Sequence, residues 1–589
     1  MQILSLLLVA SVIAAPTLKQ QNIVAPVLAT FTNDCVGLVA NKTPNADVGP
    51  PVKTTNTSLP TATLAAGVNV TGFKIPGYEV FLGIPYTQPP TGNLRFRRPV
   101  PKNYTSNLLA IIPRPACLQA PRLNQRFTYG VSGFSEDCLF LNVLAPEGSA
   151  GSDASLPVMG DGLTFLSPYL VRRAADTGRP IIPVTINYRL GILGFGMGRD
   201  MAENDGANLG LRDQLMALQW VKENIASFGG DPAKVTVFGQ SAGAISIAQH
   251  YLNESMDLFR GAILMSGQAS STAMAPTFAI WEEPYNLTAI AAGCMAPNTT
   301  LQADLTTFEC LRAVPPETIM NATAVMRRDP RFALPFVFSP SIDNDLIPDR
   351  PWMLLKDGRF AKIPYIAGDT RDEGTWITPT AIHSTDEIKF LLEHFAPLGQ
   401  DPAIVQRIFD KYPNIPKMGS PFGTGNETFG LSPVFKQGSA MVGDLAFHSR
   451  RRKFLRRSND YGNNQTWTYE FRGPTPNLAP HFGIPHSADV PYVFGVAVPE
   501  NNYTAEAEVL GQQMMDYWIN FADHLNPNPR NGQYDPATPY WPPHGAGKES
   551  IRLDLANLTV VPDTFREDQM AMFDEADVAA ALLFKRNQV

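Results

Sequence analysis

Apolar positions recur at two different periods along the chain, and their alternation is the first structural signal. In "LGLRDQLMALQWVKENIASFGGDP", Leu211, Leu215, Leu218, Val221 and Ile225 fall three or four residues apart, and Gly229-Gly230 follows. That spacing predicts an amphipathic helix with a glycine stop. Upstream, Ile181 to Tyr188 is a mostly apolar run of strand length; downstream, Val235 to Phe238 is β-branched and aromatic. Strand, helix, strand, turn and helix in that order predict an α/β fold, with a large, mostly parallel central sheet flanked by helices.

A length of 589 residues would suggest about four average domains. Yet no low-complexity linker or repeat divides the chain after residue 70, so one large α/β domain over 61–589 is expected. Residues 16–60 differ: they are rich in Pro, Thr, Asn and Val without a period, and are expected to be irregular and extended.

The first fifteen residues, Met1 to Ala15, are apolar and end in small residues before Pro16. The stretch is too short to span a bilayer and reads as a secretory signal cut near Ala14 or Ala15. No later run is long and apolar enough for a transmembrane anchor, so an extracellular, soluble protein is expected. Twelve Asn-x-Ser/Thr sequons agree with export. Of the five cysteines, Cys117 with Cys138 and Cys294 with Cys310 form close pairs, and Cys35 is left over. An oxidising compartment favours bridging each pair, at roughly 3 kcal/mol per loop. No Cys-x-x-Cys suggests a metal site.

The net charge of −7 leaves no footprint for nucleic acid. One basic cluster, "HSRRRKFLRR" (His448 to Arg457), reads as the solvated face of an amphipathic helix rather than a site for an anionic partner. "GFGMG" (Gly194 to Gly198) lacks dinucleotide-loop spacing, and "DND" (Asp343 to Asp345) lacks the rest of a calcium loop. Neither cofactor nor metal is expected.

Candidate chemistry enters at "VTVFGQSAGAISI" (Val235 to Ile247), where Gly-x-Ser-x-Gly stands at a strand-to-helix junction. A nucleophile there sits on a tight turn with its Oγ clear of the sheet, and Gly239 and Gly243 are expected to avoid collisions with neighbouring backbone. The helix that follows directs its first N–H groups at the site, where they favour negative charge.

Long motifs around this serine resemble the type-B carboxylesterase/lipase family, which includes cholinesterases and secreted fungal lipases. They are "GANLGLRDQLMALQWVKENIASFGGDPAKVTVFGQSAG" (Gly206 to Gly243), "SEDCLFLNV" (Ser135 to Val143) and "FLGIPYTQPPTGNLRFRRP" (Phe81 to Pro99). "NYRLGILGFG" (Asn187 to Gly196) and "YWINFADHLNPN" (Tyr517 to Asn528) also match. The resemblance runs from about residue 62 to 566, and implies an α/β-hydrolase fold with a Ser-Glu-His triad in that chain order. It implies Ser241 as nucleophile. Glu373, in "GDTRDEG" after Gly368, is the implied acid, with Asp369 and Asp372 as neighbouring fallbacks. His486, three residues after Gly483, is the implied base; His481 lacks that spacing. Gln240 stands where many relatives carry Glu.

The implied reaction is ester hydrolysis through an acyl-enzyme. Its oxyanion donors are less complete. Relatives carry an apolar strand end and a His-Gly-Gly-Gly-type loop where this chain reads "SLPVMGDGLTFLSPYL". Roughly ten residues are missing between Val158 and Gly160, about 33 Å of extended chain. The N–H of Ala242 remains as one donor, Gly160 is the candidate for a second, and Gly162 also survives. Leu156 to Met159 is expected to be too short for a full central strand. Either the segment was lost from the gene model of an ordinary esterase, which the intact triad favours, or the protein is a non-catalytic, cholinesterase-like binding protein. The loop inside Cys117–Cys138 is short for an interfacial lid, so soluble or short-to-medium acyl esters are the expected substrates.

Overall fold

The computed structural model describes residues 59–119, 133–161, 168–272, 274, 279–296, 305–329, 332, 337–392, 402–530, 532, 538–545, 547–555, 557–575 and 578. The expected signal at 1–15, nearly all of the 16–60 segment, Cys35, Gly162 and the middle of the Cys117–Cys138 loop lie outside them.

An eleven-stranded sheet organises the rest. In chain order its strands are β1 (Phe73–Ile75), β2 (Tyr78–Pro85), β3 (Phe140–Pro146), β4 (Leu156–Asp161), β5 (Ile182–Ile186) and β6 (Gly230–Gln240). They continue with β7 (Gly261–Met265), β8 (Tyr365–Thr370), β9 (Thr466–Phe471), β10 (Glu549–Leu553) and β11 (Thr559–Pro562). The spatial order follows the chain except that β5 lies between β3 and β4. Neighbours are parallel from β5 through β4 and β6 to β10; β1, β2, β3 and β11 add antiparallel edges.

Period-two alternation in the central strands divides the core. Val158, Val237, Leu264 and Ala367 join one apolar cluster, while Met159, Phe238, Ile263 and Ile366 join the other. A parallel sheet covered on both faces demands such two-sided hydrophobicity. Helices α2 (Leu209–Asn224), α3 (Ala242–Tyr251) and α5 (Ser449–Asp460) supply Leu218, Ile247 and Phe454 to the first cluster. Helices α1 (Pro168–Asp176) and α6 (Ala505–His524) supply Leu170, Met514 and Trp518 to the second. Helix α4 (Pro433–Gly443) packs in a third cluster with Ile388 and Phe573. Helix α2 is the one foreseen from the periodicity: Leu218, Val221 and Ile225 of its stripe join the first cluster, while Leu211 packs apart with Phe195 and Ile342.

Two expectations need correction. Strand β4 does form a central strand: it extends to Asp161 and pairs with β5 on one side and β6 on the other. Val158 and Met159 are fully buried on opposite faces, and the two established neighbours give a short segment a register to complete. The basic cluster is not a solvated face either. Arg451 donates to Asp369 at 2.7 Å and to Asp563 at 2.9 Å, Arg452 donates to Asp563 at 3.0 Å, and these side chains are buried. Burial opposes ionisation of Asp563, but the two guanidiniums hold its carboxyl well below the usual range. A buried guanidinium persists only when paired in this way.

Both cysteine pairs are bridged, with Cα–Cα separations of 4.9 and 5.6 Å. Of the described sequon asparagines, Asn69, Asn103, Asn253, Asn321, Asn426, Asn464, Asn502 and Asn557 are exposed, and Asn286 is buried. Most are thus open to modification. Among the described residues, no helix is long and apolar enough to cross a membrane.

Candidate active site

Strand β6 ends at Gln240, and Ser241 turns the chain into α3 with φ 55° and ψ −118°. A serine in that region costs on the order of 1–3 kcal/mol, so the surroundings must impose it. They do so on both sides: Ser241 N–H donates to Met265 O at 2.8 Å, and Ile245 N–H donates to Ser241 O at 2.9 Å. Gly239 is required by close approach, because a Cβ there would lie 2.7 Å from the carbonyl carbon of Gly243. Gly243 is not required in the same way, since a Cβ at that position meets nothing within 4 Å. The flanking glycines therefore do different things, contrary to the expectation from the motif.

His486 arrives from the loop after β9. Its Nε2 lies 2.8 Å from Ser241 Oγ and its Nδ1 lies 2.5 Å from Glu373 Oε2. Glu373 follows β8 at the start of a 3-10 turn, is fully buried, and accepts the Thr370 N–H at 2.7 Å through its other oxygen. One oxygen is thereby anchored to backbone while the other meets the imidazole. Phe447 packs on the ring with centroids 4.8 Å apart, carried by a π-helical turn over Asp444–His448.

The alternative acids go elsewhere. Asp369 faces Arg451 and His448; burial works to raise its pKa, but those cations hold it below the ordinary value. Asp372 accepts from Ser420 Oγ at 2.8 Å, Phe422 N–H at 2.8 Å and Ile484 N–H at 3.0 Å, and burial raises its pKa. Because Ile484 lies two residues before His486, Asp372 staples the acid's turn to the histidine's loop. Three acids in five residues made that role indistinguishable in the sequence. His481 packs at a tilt against Phe482, with centroids 4.2 Å apart, rather than joining the serine.

Two neighbours were not singled out from sequence. Asp489 is fully buried, accepts from Tyr469 Oη at 2.7 Å, and burial pushes its carboxyl up to about 7. His448 is also buried; burial lowers its pKa, but Asp369 more than offsets this and the net shift is upward. Asp489 lies three residues after His486, yet nothing in its local spacing distinguishes it from a helix-capping aspartate.

The donor side is different. Ala242 opens α3 and is exposed, so its N–H belongs to a first turn that lacks intrahelical partners. Gly160 does not reach the serine. It is a rung of β4 opposite Val237, four residues before Ser241, about 13 Å away along the strand. Among the described residues, no group of three or more His, Cys, Asp or Glu is arranged to hold a metal ion.

A family model described as "Carboxylesterase family" matches residues 58–573. The chain is 32% identical over 574 residues to Lipase 1 of Geotrichum candidum, covering 88% of this chain and 96% of that protein. It is 32% identical over 560 residues to Secreted lipase 1 of Botryotinia fuckeliana, covering 87% and 91%. In three dimensions it is similar to Aspergillus niger EstA, with a TM-score of 0.75 at 26% identity over 90% of this chain and 99% of that one.

Proposed function

Because the chain belongs to the carboxylesterase family, with an α/β-hydrolase fold, we propose that it is a secreted serine carboxylic-ester hydrolase. The observation that carries this reading is the placement of His486 between Ser241 Oγ and the buried carboxylate of Glu373. Ser241 Oγ attacks the ester carbonyl carbon while its proton passes to His486 Nε2. Glu373 holds the ring by its Nδ1–H and offsets the positive charge that develops. The C–O bond to the alcohol then breaks, and the alcohol departs with the proton from Nε2. Water deacylates the enzyme through the same base, restoring Ser241. The Ala242 N–H is one donor to the oxyanion.

Secretion is supported by the apolar leader at 1–15, the two disulfides and the exposed sequons. Soluble or short-to-medium acyl esters fit the short loop closed by Cys117–Cys138, which has little length to swing away from an oil surface. A fluorophosphonate probe tests the chemistry. Labelling of folded protein that vanishes in Ser241→Ala supports the enzyme. A second reading, a non-catalytic binding protein, draws on the position of Gly160, about 13 Å from Ser241 along the strand rather than beside it; folded protein that never labels would favour it. Hydrolysis of short- and long-chain esters across the aggregation point tests the substrate class, and a sharp rise at the interface would overturn it.

A further inference from the structure

Gln240 is the last residue of β6, and its side-chain nitrogen lies 3.1 Å from His486 Nε2, the atom that also faces Ser241 Oγ at 2.8 Å. A neutral imidazole donating from Nδ1 to Glu373 has a single lone pair at Nε2. The Ser241 hydroxyl and the Gln240 amide are two donors for that one acceptor. When the serine proton reaches Nε2, the requirement reverses: the nitrogen now carries hydrogen and needs acceptors. The Gln240 amide supplies one through Oε1 after a half-turn about its terminal torsion, a broad two-fold rotor.

We propose that Gln240 is a positioning residue whose amide reverses with the protonation state of His486. It donates N–H to the neutral ring before Ser241 attacks and presents its carbonyl oxygen to the charged ring of the tetrahedral intermediate. Gln240 itself neither gains nor loses a proton; the proton moves only from Ser241 Oγ to His486 Nε2 and on to the leaving alcohol. Because it is neutral in both orientations, Gln240 meets both states of the ring without adding charge beside it. The other groups around the ring are Glu373 at Nδ1, Asp489 on the same loop with its donor Tyr469 on β9, and the Phe447 ring, with His448 feeling the charge of Glu373. Only Gln240 and Ser241 meet Nε2 among the described hydrogen bonds.

The inference rests on the Ser-His-Glu reading. Its test is the pH dependence of fluorophosphonate inactivation in wild type, Gln240→Glu and Gln240→Met, with the modified residue identified by peptide mapping. A carboxylate at 240 favours only the charged ring, so Gln240→Glu is expected to move the acid limb up by about one pH unit or more. Gln240→Met fills the same space without polar atoms. It is expected to leave the limb in place and to slow inactivation about three- to tenfold, the worth of one neutral hydrogen bond. An unmoved limb in Gln240→Glu with Ser241 still labelled would overturn the role of Gln240 alone, as would undiminished inactivation in folded Gln240→Met. Wild-type protein that is not labelled at Ser241 would instead remove the triad reading beneath it.

Discussion

The ends of β6 and β4 lie on adjacent parallel strands, and they have fared differently. At the end of β6, a strained serine, its imidazole and its carboxylate meet at 2.8 and 2.5 Å. At the end of β4, the strand closes on Gly160 and Asp161, and Gly160 lies about 13 Å from the serine along the strand. The difference is possible because the triad does not pass through β4. Its members come from β6, from the turn after β8 and from the loop after β9, whereas β4 touches β6 only up to Phe238. Strand β4 can therefore end at Asp161 while the contacts among Ser241, His486 and Glu373 stay intact.

Ser241→Ala is expected to have the largest effect, removing covalent labelling and lowering turnover on the order of 10⁶-fold. Glu373→Gln should lower kcat about 10⁴-fold with the fold intact, by leaving the imidazole in the wrong tautomer. Equal kcat in wild type and Glu373→Gln would detach the acid from the serine end. Inserting a strand end and a His-Gly-Gly-Gly-type loop between Met159 and Gly160 should raise kcat about 10²–10³-fold by restoring a donor. An unchanged kcat in a folded insertion variant would mean that the β4 end lacks nothing the reaction needs.

Smaller effects separate the two glycines around the serine. Gly239→Ala drives a methyl into the α3 backbone and should cost about 1–3 kcal/mol in denaturant unfolding. Gly243→Ala meets open space in a helix and should be stabilising, by up to about 1 kcal/mol. Asp489 offers a pH-dependent test. Its folded value of about 7 lies above the ordinary 3.8, so the folded protein binds the extra proton and stability falls as pH rises from about 4 to about 7. Asp489→Asn removes that slope, and its melting temperature relative to wild type should climb across the same window. A constant difference would mean that Asp489 is ionised in the folded protein.

Much of this was legible in advance for specific reasons. The stripe from Leu211 to Ile225 and the run at Val235 to Phe238 are local patterns, and both elements form where the patterns lie. Ser241 was recognisable because a strand-turn-helix nucleophile needs a constrained local sequence. The buried fate of Arg451 and Arg452 was not legible, because their partner Asp563 lies more than a hundred residues away and charge alone predicts solvation. The survival of β4 was hidden for a similar reason: a short segment becomes a strand when neighbours on both sides supply its hydrogen bonds.

Local order determined the kinds of element and set Ser241 apart at a strand-to-helix turn, while His486 and Glu373 came from the family resemblance. Those depend on periodicity and on motifs a few residues long. Tertiary structure decided which carboxyl meets the imidazole, that Asp372 ties two loops together, and that Gln240 shares Nε2 with the serine. Each of these is a distance between groups remote in the chain, and packing sets such distances.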